Sequence, residues 1–141
     1  MLRLSLLAAV FTAGWVAAAS AATMDFTANL TAASEVPPKT SSGFGDLLAT
    51  LDTTKKELSY TLTFDGLTGP ATAAHFHGPA AVGANAGVVV PIGGANPTSP
   101  AHGTATLTDA QIADLNAGKV YFNVHTAANP KGEIRGTLAK Q

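Results

Sequence analysis

The 141-residue chain contains no cysteine. That absence removes disulfides, thiolate zinc sites, iron–sulfur clusters, blue-copper sites with a Cys ligand and lipid attachment at an N-terminal cysteine. A small domain without cross-links must be held by its packed core. Charge is sparse as well, at 12% of residues. With Arg3 set aside, seven basic side chains face nine acidic ones. No basic patch is left for nucleic acid or for an anionic membrane. The chain also lacks a G-x-S-x-G elbow, a phosphate-binding glycine loop and any Ser–His–acid set, so nothing argues for nucleophilic hydrolysis. Whether it is an enzyme at all is left open, and the balance leans against it. Histidine is scarce too, four in the whole chain, and two of the four fall in one tripeptide, His75-Phe76-His77.

The longest apolar run is at the start, in MLRLSLLAAVFTAGWVAAASAA. One basic residue, Arg3, precedes an apolar stretch from Leu4 through Ala19, and Ala19-Ser20-Ala21 fits the small-residue pattern of signal peptidase. Residues 1–22 are therefore expected to be a signal peptide, with cleavage before Ala22 or Thr23, and residues 23–141 a single exported domain. The expected location is periplasmic or secreted. Past the leader, no stretch is long and apolar enough to span a bilayer as a helix.

What the remainder has in plenty is alternation. Phe26, Ala28 and Leu30 alternate with Asp25, Thr27 and Asn29, and Leu58, Tyr60, Leu62 and Phe64 with Ser59, Thr61 and Thr63. Period two with one apolar face predicts half-buried strands. Gly45 to Leu51 repeats the pattern and runs into Asp52-Thr53-Thr54-Lys55-Lys56, so residues 43–64 read as a hairpin. Further strands are expected over 72–77, 87–92, 102–107, 119–125 and 133–139. One helix is expected: Thr108 and Gln111 have capping-box spacing, Ile112 and Leu115 supply a small apolar face, and Gly118 is placed to stop it. The fold class is thus all-β, an antiparallel β-sandwich of Greek-key/immunoglobulin-like or superoxide-dismutase-like type, with one short helix at an end.

Alternation gives the histidines a geometry. Residues i and i+2 of a strand share a face about 6.5–7 Å apart, so His75 and His77 lie opposite Phe76 and can reach one ion. In "YFNVHTAANPKGEIRG", residues 121–136, Val120, Phe122 and Val124 turn inward and Tyr121, Asn123 and His125 the other way. If the two strands are neighbours, His75, His77 and His125 converge as three imidazoles, a set that suits zinc or copper. A structural role for the three, bonded to loop backbone, fits the spacing equally. His102 lies apart, a surface residue or an extra ligand. Glu133 and Arg135 alternate outward after His125. They are either an exposed charge pair of little weight or groups that orient a ligand imidazole.

"AHFHGPA" followed by a glycine-rich loop, "GTATLTDAQIADLNAGKV" and "YFNVHTAANPKGEIRG" resembles the CHRD (chordin-type) domain family. The resemblance runs over nearly all of the mature chain, from the first strand to Leu138. It carries over His75, His77, Gly78, Asn123, His125, Thr126, Glu133 and Arg135. Lys131 stands where glycine is common. The resemblance implies an extracellular or periplasmic β-sandwich, and a protein or glycan partner of unknown identity is in keeping with it. The H-x-H edge is also similar to that of copper–zinc superoxide dismutases. Those enzymes use six histidines, an aspartate and a disulfide, a set this chain cannot supply. Two readings result. The chain is an exported protein holding one metal ion, copper ahead of zinc, through His75, His77 and His125, with Asn123, Thr126, Glu133 and Arg135 in support. Alternatively it is a metal-free binding or adhesion module that uses the same loop end. A metal-dependent redox enzyme trails both.

Overall fold

The computed structural model describes residues 22–91 and 95–141. The leader read over residues 1–22 lies outside the described residues except for Ala22. The elements in order are β1 (Thr23–Thr31), a single 3-10 turn (Ala32–Ser34), β2 (Phe44–Asp52), β3 (Glu57–Asp65), β4 (Ala71–His77), β5 (Val88–Pro91), β6 (Ala101–Thr106), α1 (Asp109–Asn116), β7 (Tyr121–Thr126), β8 (Ile134–Thr137) and β9 (Ala139–Lys140). Every strand pairing is antiparallel.

The all-β expectation with one short helix holds, but the arrangement departs from two separate sheets. The strands form one path, β5-β4-β7-β8-β1-β2-β3-β6, with β9 also on β1. The cause is the C-terminal run. β8 lies along β7 from Tyr121↔Thr137 to Val124↔Ile134 and touches β1 at Thr31↔Arg135. Beyond Leu138 the chain pairs again with β1, at Phe26↔Lys140 and Thr27↔Ala139. This thin seam ties two halves that would otherwise be separate layers and leaves a nearly closed sheet with β5 and β6 at its ends.

Alternation decides what faces inward. Phe26, Leu30, Leu47, Leu51, Leu58, Leu62, Phe76, Phe122, Val124 and Ile134 make one core. Phe76 meets Phe122 edge-on at 4.8 Å and Tyr60 at 5.5 Å between ring centroids, joining β4 to β7 and across to β3. The hairpin turn forms as its composition requires. Asp52 Oδ1 accepts from the backbone N–H groups of Thr54 and Lys55, each at 2.9 Å, and Lys56 takes the left-handed conformation at φ 56°. Helix α1 carries the expected capping box: Gln111 N–H donates to Thr108 Oγ1 at 3.2 Å, and Thr108 N–H to Gln111 Oε1 at 2.8 Å. Gly118 (φ 67°) follows its end. Leu115 and Gln111 then close an apolar hollow bounded by Leu58, Phe76, Val89 and Val120.

Candidate metal centre

β4 and β7 are neighbours, and their register fixes the site. His75 stands opposite Asn123, His77 opposite Tyr121 and Ala73 opposite His125. With side chains alternating across the pleat, His75 and His77 share the outer face with Tyr121, Asn123 and His125, while Phe76 and Phe122 point into the core. The three imidazoles converge, one ligand nitrogen from each lying within 4.8 Å of the others. His75 Nδ1 is 3.0 Å from His125 Nε2.

This face is not open to solvent. All six residues of β7 are buried, although only alternate ones belong to the core. Three connections roof it. From the 78–87 connection, the Ala86 carbonyl accepts a hydrogen bond from His77 Nδ1 at 3.0 Å. From the 127–133 connection, the Pro130 carbonyl accepts from His125 Nδ1 at 3.1 Å. From the connection after β1 comes Glu35, 4% exposed, whose Oε1 lies 3.5 Å from Asn123 Nδ2. Gly78 lets the first of these connections leave β4 tightly, since a side chain there would stand 2.9 Å from the Lys119 carbonyl oxygen.

A carbonyl oxygen only accepts, so His125 carries its proton on Nδ1 and turns its Nε2 lone pair into the cluster. Both nitrogens of His77 face acceptors, Nδ1 the Ala86 carbonyl and Nε2 the Asn123 Oδ1, so a neutral ring donates to only one of them. His75 Nδ1–H then donates to His125 Nε2. Desolvation lowers all three imidazoles below the ordinary 6.5, the neighbouring imidazoles adding to the effect at His75 and His125 and the Arg135 charge at His77. The hydrogen bonds of His77 and His125 to backbone pull the other way. The neutral form is the one that binds metal, so burial here favours ligation.

The family model described as the CHRD domain matches residues 26–138. The chain belongs to the CHRD domain family. No curated protein and no solved structure matches it.

Within this CHRD domain the outward-alternating charges have separate tasks. Glu133 and Arg135 are 0% and 2% exposed, so the solvent-facing pair considered from alternation does not form. Alternation told which face they share but not that connections cover it. Glu133 accepts from Ser41 Oγ (2.6 Å), Thr68 N–H (2.8 Å), Thr68 Oγ1 (2.6 Å), Asn129 Nδ2 (3.1 Å) and Thr126 Oγ1. Those hydrogen bonds outweigh desolvation and hold its carboxyl down at about 2. None of these partners is an imidazole. It clamps the connection that supplies the Pro130 carbonyl. Arg135 donates to Asn85 Oδ1 at 2.9 Å and to the Ala84 carbonyl, and its guanidinium lies 3.4 Å from the centre of the Tyr121 ring. Tyr121 in turn stacks on His77, 4.8 Å between centroids and 2° between planes. Thr126 serves the Glu133 clamp and not the cluster. Lys131 is exposed and offers only its backbone carbonyl, 3.5 Å from Asn123 Nδ2.

His102 is not brought in. It sits exposed on β6, Nδ1 3.0 Å from Thr61 Oγ1, and is outside the cluster of His75, His77 and His125. Two participants had no clear signal in the sequence. Glu35 lies in a proline-flanked segment with no periodicity to orient it. Tyr121 alternates onto the right face, but only its contacts with His77 and Arg135 make it a platform.

Proposed function

We propose that this CHRD-domain protein is exported, to the periplasm or beyond, and binds one metal ion through His75, His77 and His125, copper ahead of zinc. The observation that carries the reading is the convergence of three imidazole nitrogens within 4.8 Å, two of them oriented by backbone carbonyls. Carbonyl-anchored histidine is the usual outer support of a metal ligand. The His75–His125 separation of 3.0 Å supports it further. Two bonds of about 2.0–2.1 Å at a right angle span about 2.9 Å. Binding requires the His75 proton to leave Nδ1 for Nε2, and a pair as wide as 4.8 Å to close, since two such bonds span at most about 4.1 Å. Copper comes first because an all-imidazole, thiol-free donor set follows the affinity order. The leader supports export.

One observation favours a second reading, a metal-free module that binds a protein or glycan through the roofing connections. Five of the six ring nitrogens in the cluster already lie within 3.1 Å of a protein nitrogen or oxygen. Calorimetric titration of the metal-free protein with Cu(II), then Zn(II), beside the triple His75, His77, His125 to Ala variant, decides between them. Tight one-to-one binding that the variant loses is the expected result. Absence of binding with both proteins folded makes the histidines structural and turns the search to partners.

A further inference from the structure

One hydrogen bond in the cluster has no proton to make it. A neutral His77 has one N–H for two acceptors; with it on Nδ1, given to the Ala86 carbonyl at 3.0 Å, Nε2 is a bare lone pair. Facing that lone pair at 3.0 Å is Asn123 Oδ1, which is also only an acceptor. Turning the amide over would exchange this contact for others: its Nδ2 now lies 3.5 Å from both Glu35 Oε1 and the Lys131 carbonyl, and a reversed amide would set Oδ1 toward both. A proton between Nε2 and Oδ1 would make a buried imidazolium near the Arg135 guanidinium, which is packed on the ring that stacks on His77.

A cation satisfies both lone pairs at once. A nitrogen and an oxygen bound side by side to one ion are about 2.9–3.3 Å apart, which brackets the observed separation. The register points the same way. Asn123 is directly opposite His75, has His77 on the diagonal of the partner strand and His125 two residues along its own strand, so it adjoins all three imidazoles on one face. It is 2% exposed and belongs to no other polar network than this one and its link to Glu35.

We propose that Asn123 Oδ1 is the fourth protein ligand, giving three imidazole nitrogens and one amide oxygen, with Glu35 acting as a positioning residue that holds the amide's oxygen toward the metal. The inference rests on the metal reading above. It adds a hard oxygen donor to an otherwise nitrogen set, and so assigns to the protein the position that a three-histidine site leaves to solvent.

The sign of one substitution separates a ligand from a mere hydrogen-bond partner. In an E35Q background, which removes the carboxylate that would repel a second one, N123D places a charged oxygen at the same point. As a ligand it tightens Cu(II) and Zn(II) about tenfold or more relative to E35Q alone. As a hydrogen-bond partner it holds a proton on His77 and weakens both metals, which overturns the proposal. N123A is expected to bind at least tenfold more weakly with one-to-one stoichiometry kept; unchanged affinity overturns it. Should either variant fail to fold, nuclear magnetic resonance of the unaltered protein gives the answer. The Asn123 side-chain amide signals shift strongly on Zn(II) saturation if Oδ1 ligates. Histidine signals that move while those of Asn123 stay put overturn the assignment and leave the three-histidine site standing. Unaltered protein that binds neither metal overturns the metal reading itself along with this one.

Discussion

Two outer faces of the same sheet carry histidine on regular, alternating strands, and they end differently. On β4 and β7, His77 and His125 are buried and His75 is partly covered. On β3 and β6, Thr61 is half-buried and His102 lies in the open, next to Leu48 at 58% exposure. Strand propensity and pleat are alike in both. The difference is in the connections. β2 and β3 are joined by four residues, 53–56, just enough to reverse the chain. The site face is flanked by residues 32–43, 78–87 and 127–133, each long enough to fold back over the sheet; the first lays Glu35 against Asn123, and the other two bring carbonyl oxygens to His77 and His125. A histidine becomes a candidate ligand here because long connections cover the face on which it lies.

Breaking the covered cluster has the largest effect. His77→Ala is expected to lower Cu(II) affinity by orders of magnitude, while His102→Ala leaves it unchanged; titration of both variants checks the contrast. Losing affinity at both positions would end the distinction between the faces. Next comes the clamp. Glu133→Ala strips a fully buried, charge-bearing hub and is expected to cost about 3–5 kcal/mol, read by denaturant unfolding. The acid limb of the stability curve tests the same group. A carboxyl at about 2 when folded, against 4.5, stabilises the native state above pH 4.5, and that stability, about 3 kcal/mol, is lost as pH falls through 2. Glu133→Gln is expected to flatten that limb.

A milder effect comes from the imidazoles themselves. Their folded values lie below 6.5, so between those values and 6.5 the unfolded chain binds protons that the native chain refuses. Metal-free protein therefore loses stability as pH drops below 6.5, and melting temperatures at pH 7.5 and 5.5 should converge in the triple histidine variant. Smallest of all, Leu48→Thr on the open face should change stability by no more than about 0.5 kcal/mol and metal affinity not at all.

Much of this was legible beforehand, and the limit has a physical form. Alternation assigned Phe26, Leu62, Phe76 and Phe122 to the core and placed His75, His77, Asn123 and His125 on the opposite side. The Thr108–Gln111 spacing marked the helix start. These are local signals, set within a few residues. The seam through β8 and β9 was not visible, because it depends on Thr31 meeting Arg135. Nor was the roof, since polarity in residues such as Ser41, Thr68 and Asn129 looks the same whether they face water or a buried carboxylate. Glu133 and Arg135 show this most clearly: the pleat gave their direction, and only the distant connections decide that this direction is interior.

The clamp on Glu133 also sets an order of events. It gathers Ser41 and Thr68 from 92 and 65 residues away, and the His75–His125 contact spans 50. Contacts this distant wait for the loops between them to close. A chain still emerging, or newly unfolded, has His75 and His77 close in sequence but neither His125 beside them nor the Pro130 carbonyl that orients it. On the metal reading proposed above, full affinity is expected only when the last strands lock in place, and a metal-sensitive signal during refolding would clock that final step.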